Sequence, residues 1–392
     1  MKKICVVELK SGNHSVAELC KYANPKINEV LLFTTSFLLS NIKNDLGQDL
    51  KFIKIVVKDD NKSFYSFVQL INRTCYQNVD LLILNTVSRW EFLFLKPNCP
   101  TAAYFYSLNF WFRDLKSSIG IFKNFFQFNY LNFLSWFPNR WHANPYFGYM
   151  IRKKILKKID GIIVEYPPFV DLLKDNYNVS KPVYFLPKRS YSNTTTTKLI
   201  NKTVYVIPGM ISQVRREYDL VLDAFQNIPK EIQSSIKLII LGRPIKKYGL
   251  KIIERLKKLD KSAIEIEYFT KFISHEKFSQ SLLQADVIIA PIKLNYYSGI
   301  INEKFTYTKG TGTFHDMLRY SKLTLVPSVY NVSKEFEDCF IKYRDSSELS
   351  SLIVELSTNE NQISKQKELT SETIKKYSLI NVQLMFEKLY EI

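Results

Sequence analysis

A chain of 392 residues is longer than one hydrophobic core usually serves, so two domains of roughly 150–200 residues each are expected. Its 46% hydrophobic and 23% charged residues are those of a globular protein, which excludes a disordered chain. Lys and Arg number 55 against 37 Asp and Glu, and the formal charge of +18 calls for an anionic partner without choosing between nucleic acid, an acidic membrane face and phosphorylated substrates.

The five cysteines, Cys5, Cys20, Cys75, Cys99 and Cys339, are scattered and show no C-x-x-C spacing. Reduced thiols, a cytosolic setting and no zinc site are therefore expected. Glu8 and Lys10 interrupt the first apolar run, which makes it a strand and not a signal peptide. No window of about 20 residues is free of charged and polar groups, so no spanning helix is expected.

Taken in order, the chain begins with a strand over 3–9, a turn through Lys10, Ser11, Gly12, Asn13 and His14, and helical spacing of Val16, Leu19 and Cys20. That is the opening of an α/β domain. Strand candidates follow at 29–33, 52–57, 80–84, 102–106 and 161–164, nearly continuous apolar runs that suit a parallel sheet covered on both faces. Between 104 and 158 the alternation gives way to Phe, Tyr and Trp set among Arg113, Lys116, Lys123, Arg140, Arg152, Lys153 and Lys154. Rings beside cations suit an anionic membrane interface; the competing reading places most of these rings in the core.

Residues 192–202 (SNTTTTKLINK) have no hydrophobic period and read as a linker. Strands then recur at 203–207, 236–241, 263–268, 286–290 and 323–326, with helices at 218–226, 250–259, 275–284 and 314–320. A second parallel α/β domain follows, its ligand crevice at the carboxyl ends of the strands. The expected division is an N-terminal domain over 1–195 with an aromatic and basic insertion at 104–158, a C-terminal domain over 203–376, and a last helix over 377–392 that returns to the first domain.

Three turns of the second domain hold groups suited to an anion: Pro208-Gly209 followed by Arg215 and Arg216, Gly242-Arg243-Pro244, and Lys309-Gly310-Thr311-Gly312-Thr313. The last runs straight into a helix, whose free N–H groups attract anions, and glycine lets backbone approach a ligand closely. Thr313 and Asp316 also fit a Thr-x-x-Asp capping box, which explains both without any ligand. Both readings stand at this level.

The ordered pieces VIPGMISQVRREYDLVLDAF, KLIILGRP, EYFTKFISHEKFSQSLLQADVIIAPI, TKGTGTFHDMLRYSKLTLVPS and YRDSSEL resemble the nucleotide-sugar-binding half of GT-B glycosyltransferases. The resemblance covers about 204–352, and KKIDGIIVEYPPFVDLLKDNY (157–177) resembles the last strand and helix before the domain crossover. It implies an α/β protein of two Rossmann-like parallel-sheet domains facing each other across a cleft. By that resemblance Arg215 or Arg216 contacts the donor diphosphate, as do the backbone from Gly310 to Thr313, Lys309, and the Gly209 and Gly242-Arg243 turns. Asp316 stands where an acid meets the ribose, and backbone at Phe272 and Ile273 meets the base.

The paired glutamates common in retaining members are absent: Thr308 stands eight positions before Asp316, and Glu303 is too early. Retention and inversion are therefore not assigned. On the acceptor side, His14 is the first candidate for general base, with a surface or capping histidine as the competing reading, and Asp114 is the reserve. Gly12, Asn13, Asn109 and Arg113 are the candidate acceptor ligands. His275 follows Ser274 as a helix start, and His142 and His315 carry no assigned role.

The activity implied is transfer of a sugar from a UDP- or GDP-sugar co-substrate to a hydroxyl of a glycan or lipid-linked acceptor, in bacterial polysaccharide or glycoconjugate synthesis. No other cofactor and no metal ligands are expected. The setting is cytoplasmic and peripheral on an anionic membrane, and nucleic acid is not an expected partner because no helix-turn-helix, zinc or RNA-binding motif is present. The alternatives are a nucleotide-sugar epimerase of the same architecture and a basic non-catalytic protein of membrane surfaces or nucleic acid.

Overall fold

The computed structural model describes residues 1–9, 14–87, 90–113, 145–190, 202–259, 262–298 and 301–392. The expected linker at 192–202 falls almost wholly outside them, as do most of the 104–158 segment, Gly12, Asn13 and Asp114. The chain divides into two compact units, one of Met1–Lys188, Tyr297–Glu303 and Leu379–Ile392, the other of Arg189–Tyr296 and Lys304–Ser378.

The first unit is built on a seven-stranded sheet ordered β3-β2-β1-β4-β5-β6-β7. The strands are β1 Lys3–Val7, β2 Glu29–Thr35, β3 Ile53–Lys58, β4 Leu81–Leu84, β5 Thr101–Tyr104, β6 Gly161–Val164 and β7 Val183–Phe185. Every pairing is parallel, for example Ile4 with Val30 and with Leu81. β1, β4, β5 and β6 are almost wholly buried, as continuous apolar runs require when helices cover both faces. Its helices are α1 His14–Tyr22, α2 Ser36–Leu46, α3 Phe64–Cys75, α4 Leu108–Phe112, α5 Pro145–Leu156 and α6 Pro168–Asp175. Thr35 caps α2 and Ser63 caps α3 through their hydroxyls.

The second unit carries a six-stranded sheet ordered β10-β9-β8-β11-β14-β15. Its strands are β8 Thr203–Pro208, β9 Ile236–Leu241, β10 Glu265–Tyr268, β11 Val287–Ile289, β14 Leu323–Pro327 and β15 Phe340–Tyr343. A separate short ribbon pairs β12 Asn295–Ser298 with β13 Ile301–Lys304, of which Tyr297–Glu303 counts with the first unit. The helices are α7 Tyr218–Gln226, α8 Lys230–Gln233, α9 Lys246–Leu259, α10 His275–Gln284, α11 Gly312–Tyr320, α12 Ser346–Thr358 and α13 Glu360–Lys375. One face of the sheet buries Tyr205, Ile207, Leu238 and Ile240 against α7, α9 and α12, and the other sets Val206, Ile239 and Ile288 against α10 and α11. The final helix, α14 Leu379–Glu387, packs on α1, where Gln383 donates to the Lys21 carbonyl at 2.9 Å. Among the described residues no helix is long and apolar enough to cross a membrane.

Candidate functional site

In the second sheet the strand order reverses between β8 and β11. Open parallel sheets bind ligands outside the carboxyl ends of their strands at such a reversal. The loop leaving β8 carries Arg215 and Arg216, while on the chain that leaves β11 Tyr296 lies in β12 and Lys309 follows β13, so the cations anticipated from sequence come from the two sides of this switch point.

The turns after β8 and β9 are stacked on one another. Gly209 takes φ +94°, a left-handed conformation that favours glycine. Its N–H donates to the Leu241 carbonyl at 2.8 Å, and that of Ile211 to the Arg243 carbonyl at 3.1 Å. A Cβ on Gly242 would stand 2.1 Å from the Gly209 oxygen, so only glycine permits this approach. Tyr218 opens α7 and donates its hydroxyl to the same Gly209 oxygen at 3.0 Å; burial pushes that phenol up to about 12. Arg216 lies over Gly209, its Nη2 2.4 Å from where a Cβ would be, and its buried Nε has no hydrogen-bond partner among the described residues. Arg243 is exposed.

Backbone bonds tie the β8 loop to the chain leaving β11: Glu217 N–H donates to the Pro291 carbonyl at 2.8 Å and Lys293 N–H to the Arg215 carbonyl at 3.1 Å, around an antiparallel bridge between Arg216 and Ile292. Three residues beyond Lys293, the Tyr296 ring collects two cations. The Arg215 guanidinium lies 5.2 Å from its centroid and the Lys309 ammonium 5.1 Å. Arg215 also donates to the Tyr296 hydroxyl at 3.4 Å. Sequence alone left Arg215 and Arg216 equivalent; the structure gives one to the Tyr296 ring and the other to Gly209.

Lys309 is held by a tight turn. The Lys304 carbonyl accepts the N–H groups of Thr308 (2.8 Å) and Lys309 (3.1 Å), while Thr306, at φ +66°, donates to the Lys309 carbonyl at 2.8 Å. The turn leads into α11, where the structure corrects the capping box: the cap is Thr311, whose hydroxyl accepts from Phe314 N at 3.3 Å. Thr311 is the residue with extended backbone (φ −121°, ψ 143°), so the helix starts two residues early and Thr313 and Asp316 fall inside its first turns. The Thr311 hydroxyl is shared with that of Tyr330 at 3.2 Å, Thr313 is buried, and Asp316 and Gly310 are half-buried. Space beside Gly312 is open, with nothing within 4 Å of a Cβ there. Phe272 is 85% exposed in the loop after β10, with Ile273 packed behind it. Among the described residues no three His, Cys, Asp or Glu side chains are placed to hold a metal ion.

In the first unit His14 opens α1. Arg113 is half-buried at the end of α4. Asn109 is engaged throughout: its amide donates to the Asn302 carbonyl at 2.7 Å, and its side-chain oxygen accepts from the Tyr177 hydroxyl at 2.5 Å. Glu303, fully buried, accepts from the N–H groups of Asn109 (3.3 Å) and Phe110 (2.8 Å) and so caps α4. Sequence reasoning also passed over Glu8. This carboxylate is fully buried beyond β1 and accepts from Asn85 and Thr86, each at 2.6 Å, and Asn85 accepts in turn from the Tyr106 hydroxyl at 3.1 Å. This network stands where the order of the first sheet reverses, between β1 and β4. The available signal was an acid directly after the apolar run Ile4–Val7.

Comparison with known proteins gives matches in structure and none in sequence. No family model and no curated relative matches the chain. A point mutant of TarM of Staphylococcus aureus, in complex with fondaparinux, alpha-GlcNAc-glycerol and UDP, superposes with a TM-score of 0.66 at 9% identity over 100% of both chains. A glycosyltransferase from Rickettsia africae gives 0.64 at 13% identity over 100% of this chain and 98% of its own. The fold is GT-B. The GT-B architecture is shared more widely: MnaA of S. aureus with UDP superposes with a TM-score of 0.53 at 13% identity, over 98% of this chain and 94% of its own. At these identities the likeness establishes the fold, and the chemistry rests on the residues at the switch point.

Proposed function

We propose that the protein is a glycosyltransferase that moves a sugar from a nucleoside-diphosphate-sugar donor to a hydroxyl group of a glycan or lipid-linked acceptor. The observation that carries this reading is the gathering of Arg215 and Lys309 on the Tyr296 ring at the carboxyl edge of the second GT-B sheet. Sugar transfer releases a nucleoside diphosphate, whose growing negative charge is stabilised by cations already in position. Arg215 and Lys309 meet that charge, Arg216 adds a third cation over Gly209, and the N–H groups opening α11 beside the open space at Gly312 receive the phosphate oxygens. Asp316 meets the ribose, and the base lies against the Phe272–Ile273 loop. A donor of the UDP class agrees with the UDP present in the TarM and MnaA structures.

On the acceptor side a base must take the hydroxyl proton as the new bond forms. His14 remains the residue proposed for this, with Asp114 in reserve. The proposed setting is bacterial glycan or glycoconjugate synthesis at the cytoplasmic face of a membrane.

Isothermal calorimetry with UDP, GDP and ADP tests the donor site. Charge-assisted contacts are worth about 1.5–3 kcal/mol each, so Arg215→Ala and Lys309→Ala should each weaken the preferred diphosphate roughly 10- to 100-fold. Absence of binding to any of the three nucleotides, or unchanged affinity in both variants, refutes the proposal.

A further inference from the structure

The exposed surface of the first unit carries a second feature that the donor site does not use. Tyr65, in the first turn of α3, meets Phe94 edge-to-face at 4.9 Å, and Phe94 meets Trp90 at 5.8 Å. These rings are 45%, 39% and 40% exposed, and Leu70, on the next turn of α3, is 40% exposed. Trp90 and Phe94 stand at the two ends of the 3-10 helix Trp90–Phe94, with their rings in contact, while its Glu91 and Phe92 are buried. An apolar ledge of linked aromatic rings left in water is costly unless something covers it.

Beside this ledge lies α5. The amine of Lys158, just past its end, donates to the carbonyls of Leu93 (2.7 Å) and Leu95 (2.5 Å), fastening the helix end to the aromatic segment. Lys96 is close enough to help lower the Lys158 pKa, after burial as the larger cause. Along α5, Gly148, Ile151, Arg152 and Ile155 are buried, while Met150, Lys153 and Lys154, and Lys157 just past its end, are exposed. Positions 150, 153, 154 and 157 fall on one helical face. From 145 to 158 the chain has five cations and no acid (PYFGYMIRKKILKK). The nearest acid after it, Asp160, accepts from the Thr101 N–H at 3.0 Å.

We infer that the Tyr65–Phe94–Trp90 ledge and the Met150–Lys153–Lys154–Lys157 face of α5 form a docking surface for an anionic lipid bilayer. Charge complementarity selects this occupant: aromatic rings with a polar edge settle at the lipid boundary, and an uninterrupted row of lysines meets the headgroups. Such a surface would bring the protein to a lipid-linked acceptor. The inference stands on the first unit alone and does not need the donor reading to be right.

Flotation of the full chain tests it, with vesicles of phosphatidylcholine alone or mixed with phosphatidylglycerol. The protein should float with the mixed vesicles only, and less so as salt rises. Each surface lysine is worth about a fivefold factor at an anionic membrane, so Lys153→Gln, Lys154→Gln and Lys157→Gln together should lower partitioning ~100-fold. Trp90→Ser with Phe94→Ser should abolish flotation while the nucleotide titration stays unchanged, which separates loss of docking from loss of fold or donor binding. The unaltered protein provides a second readout: mixed vesicles should shield Lys153, Lys154 and Lys157 from acetic anhydride and leave the exposed Lys365 of the second unit reactive. Equal flotation on neutral lipid, flotation of the variants like the parent, or unshielded lysines would overturn the inference. So would binding of RNA through the same lysines by a protein that leaves the vesicles unoccupied.

Discussion

Two glycine substitutions in the second unit should separate the structural scaffold of the switch point from its ligand surface. In Gly242→Ala the new Cβ would lie 2.1 Å from the Gly209 oxygen, 2.4 Å from its carbonyl carbon and 2.8 Å from Met210 N, all backbone atoms that cannot rotate away. Relief requires the β8 and β9 turns to part by about an ångström, the scale of shift that overpacking forces. The bonds from Gly209 N–H to Leu241 (2.8 Å) and from Ile211 N–H to Arg243 (3.1 Å) then lengthen or break. Overpacking of about 1–3 kcal/mol and roughly 1 kcal/mol for a lost hydrogen bond give a destabilisation of about 3 kcal/mol. For a unit of this size that is a fall of roughly 6–12 °C in Tm. Gly312→Ala is the counterpart: its Cβ meets nothing within 4 Å, so thermal stability should hold. A diphosphate resting on the first turn of α11 would meet the added methyl group, and UDP affinity should drop at least tenfold, about 1.4 kcal/mol. Differential scanning calorimetry and nucleotide titration measure the two effects. A Gly242→Ala protein melting within ~2 °C of the parent refutes the stacked-turn reasoning, a shift that small being under about 1 kcal/mol; a Gly312→Ala protein with parental affinity removes the phosphate from the start of α11.

Tyr296→Leu removes the ring that collects Arg215 and Lys309 while keeping both charges, and should weaken the nucleoside diphosphate by about 1 kcal/mol, less than loss of either cation; an unchanged affinity in titration would show that the ring places nothing. Burial brings the Lys322 amine down to about 8, with Lys367 adding to the effect, so below that pH the folded state carries a charge it disfavours and stability should rise between about pH 8 and 10.5 as the native amine deprotonates first. Lys322→Met should gain at most about 3 kcal/mol at pH 7, reduced by loss of the bond that Lys322 donates to the Leu283 carbonyl at 2.8 Å, and should lose that rise, by urea denaturation at several pH values; a parallel pH profile for parent and variant would refute it. Burial pushes Cys5, Cys20 and Cys339 up to about 12, and Cys75 rises chiefly by its hydrogen bond to Cys99, which that bond lowers. Iodoacetamide at pH 8 should therefore modify Cys99 first, as peptide mass spectrometry would show.

Elements with a clear period were legible. Strands 161–164 and 236–241 and helices 218–226 and 275–284 coincide with β6, β9, α7 and α10 because their apolar residues recur at one spacing over a full element. β7, three half-buried residues at a sheet edge, had no such run. β15 has only four residues, buried at Phe340 and Tyr343 and exposed at Lys342 with no period-2 pattern, and the β12–β13 ribbon is rich in Asn, Tyr and Lys, a composition that reads as loop. At the site, Arg215 and Lys309 were recognisable as charge types in Gly-containing turns. Tyr296 was not, because its pairing with Arg215 spans 81 residues and exists only once β8 and β11 are neighbours. Glu8 was read as an interruption of an apolar run. Folding turns it into a buried acceptor for Asn85 and Thr86, partners that lie more than 70 residues away.

The arrangement around Tyr296 explains how two cations are held close together at this edge of the sheet. Two like charges held close repel one another, and a site built only from flexible Arg and Lys side chains would relax by spreading them into solvent. The negative face of an aromatic ring draws each cation inward at about 0.5–2 kcal/mol. At 5.1 and 5.2 Å from one centroid, both charges are confined to a volume that a diphosphate can bridge. Backbone fixes the rest: Lys304 anchors the Lys309 turn, and Lys293 anchors Arg215. If the proposed donor binds here, less ordering entropy would remain to be lost, and its affinity would depend on where the ring holds the cations as much as on their number.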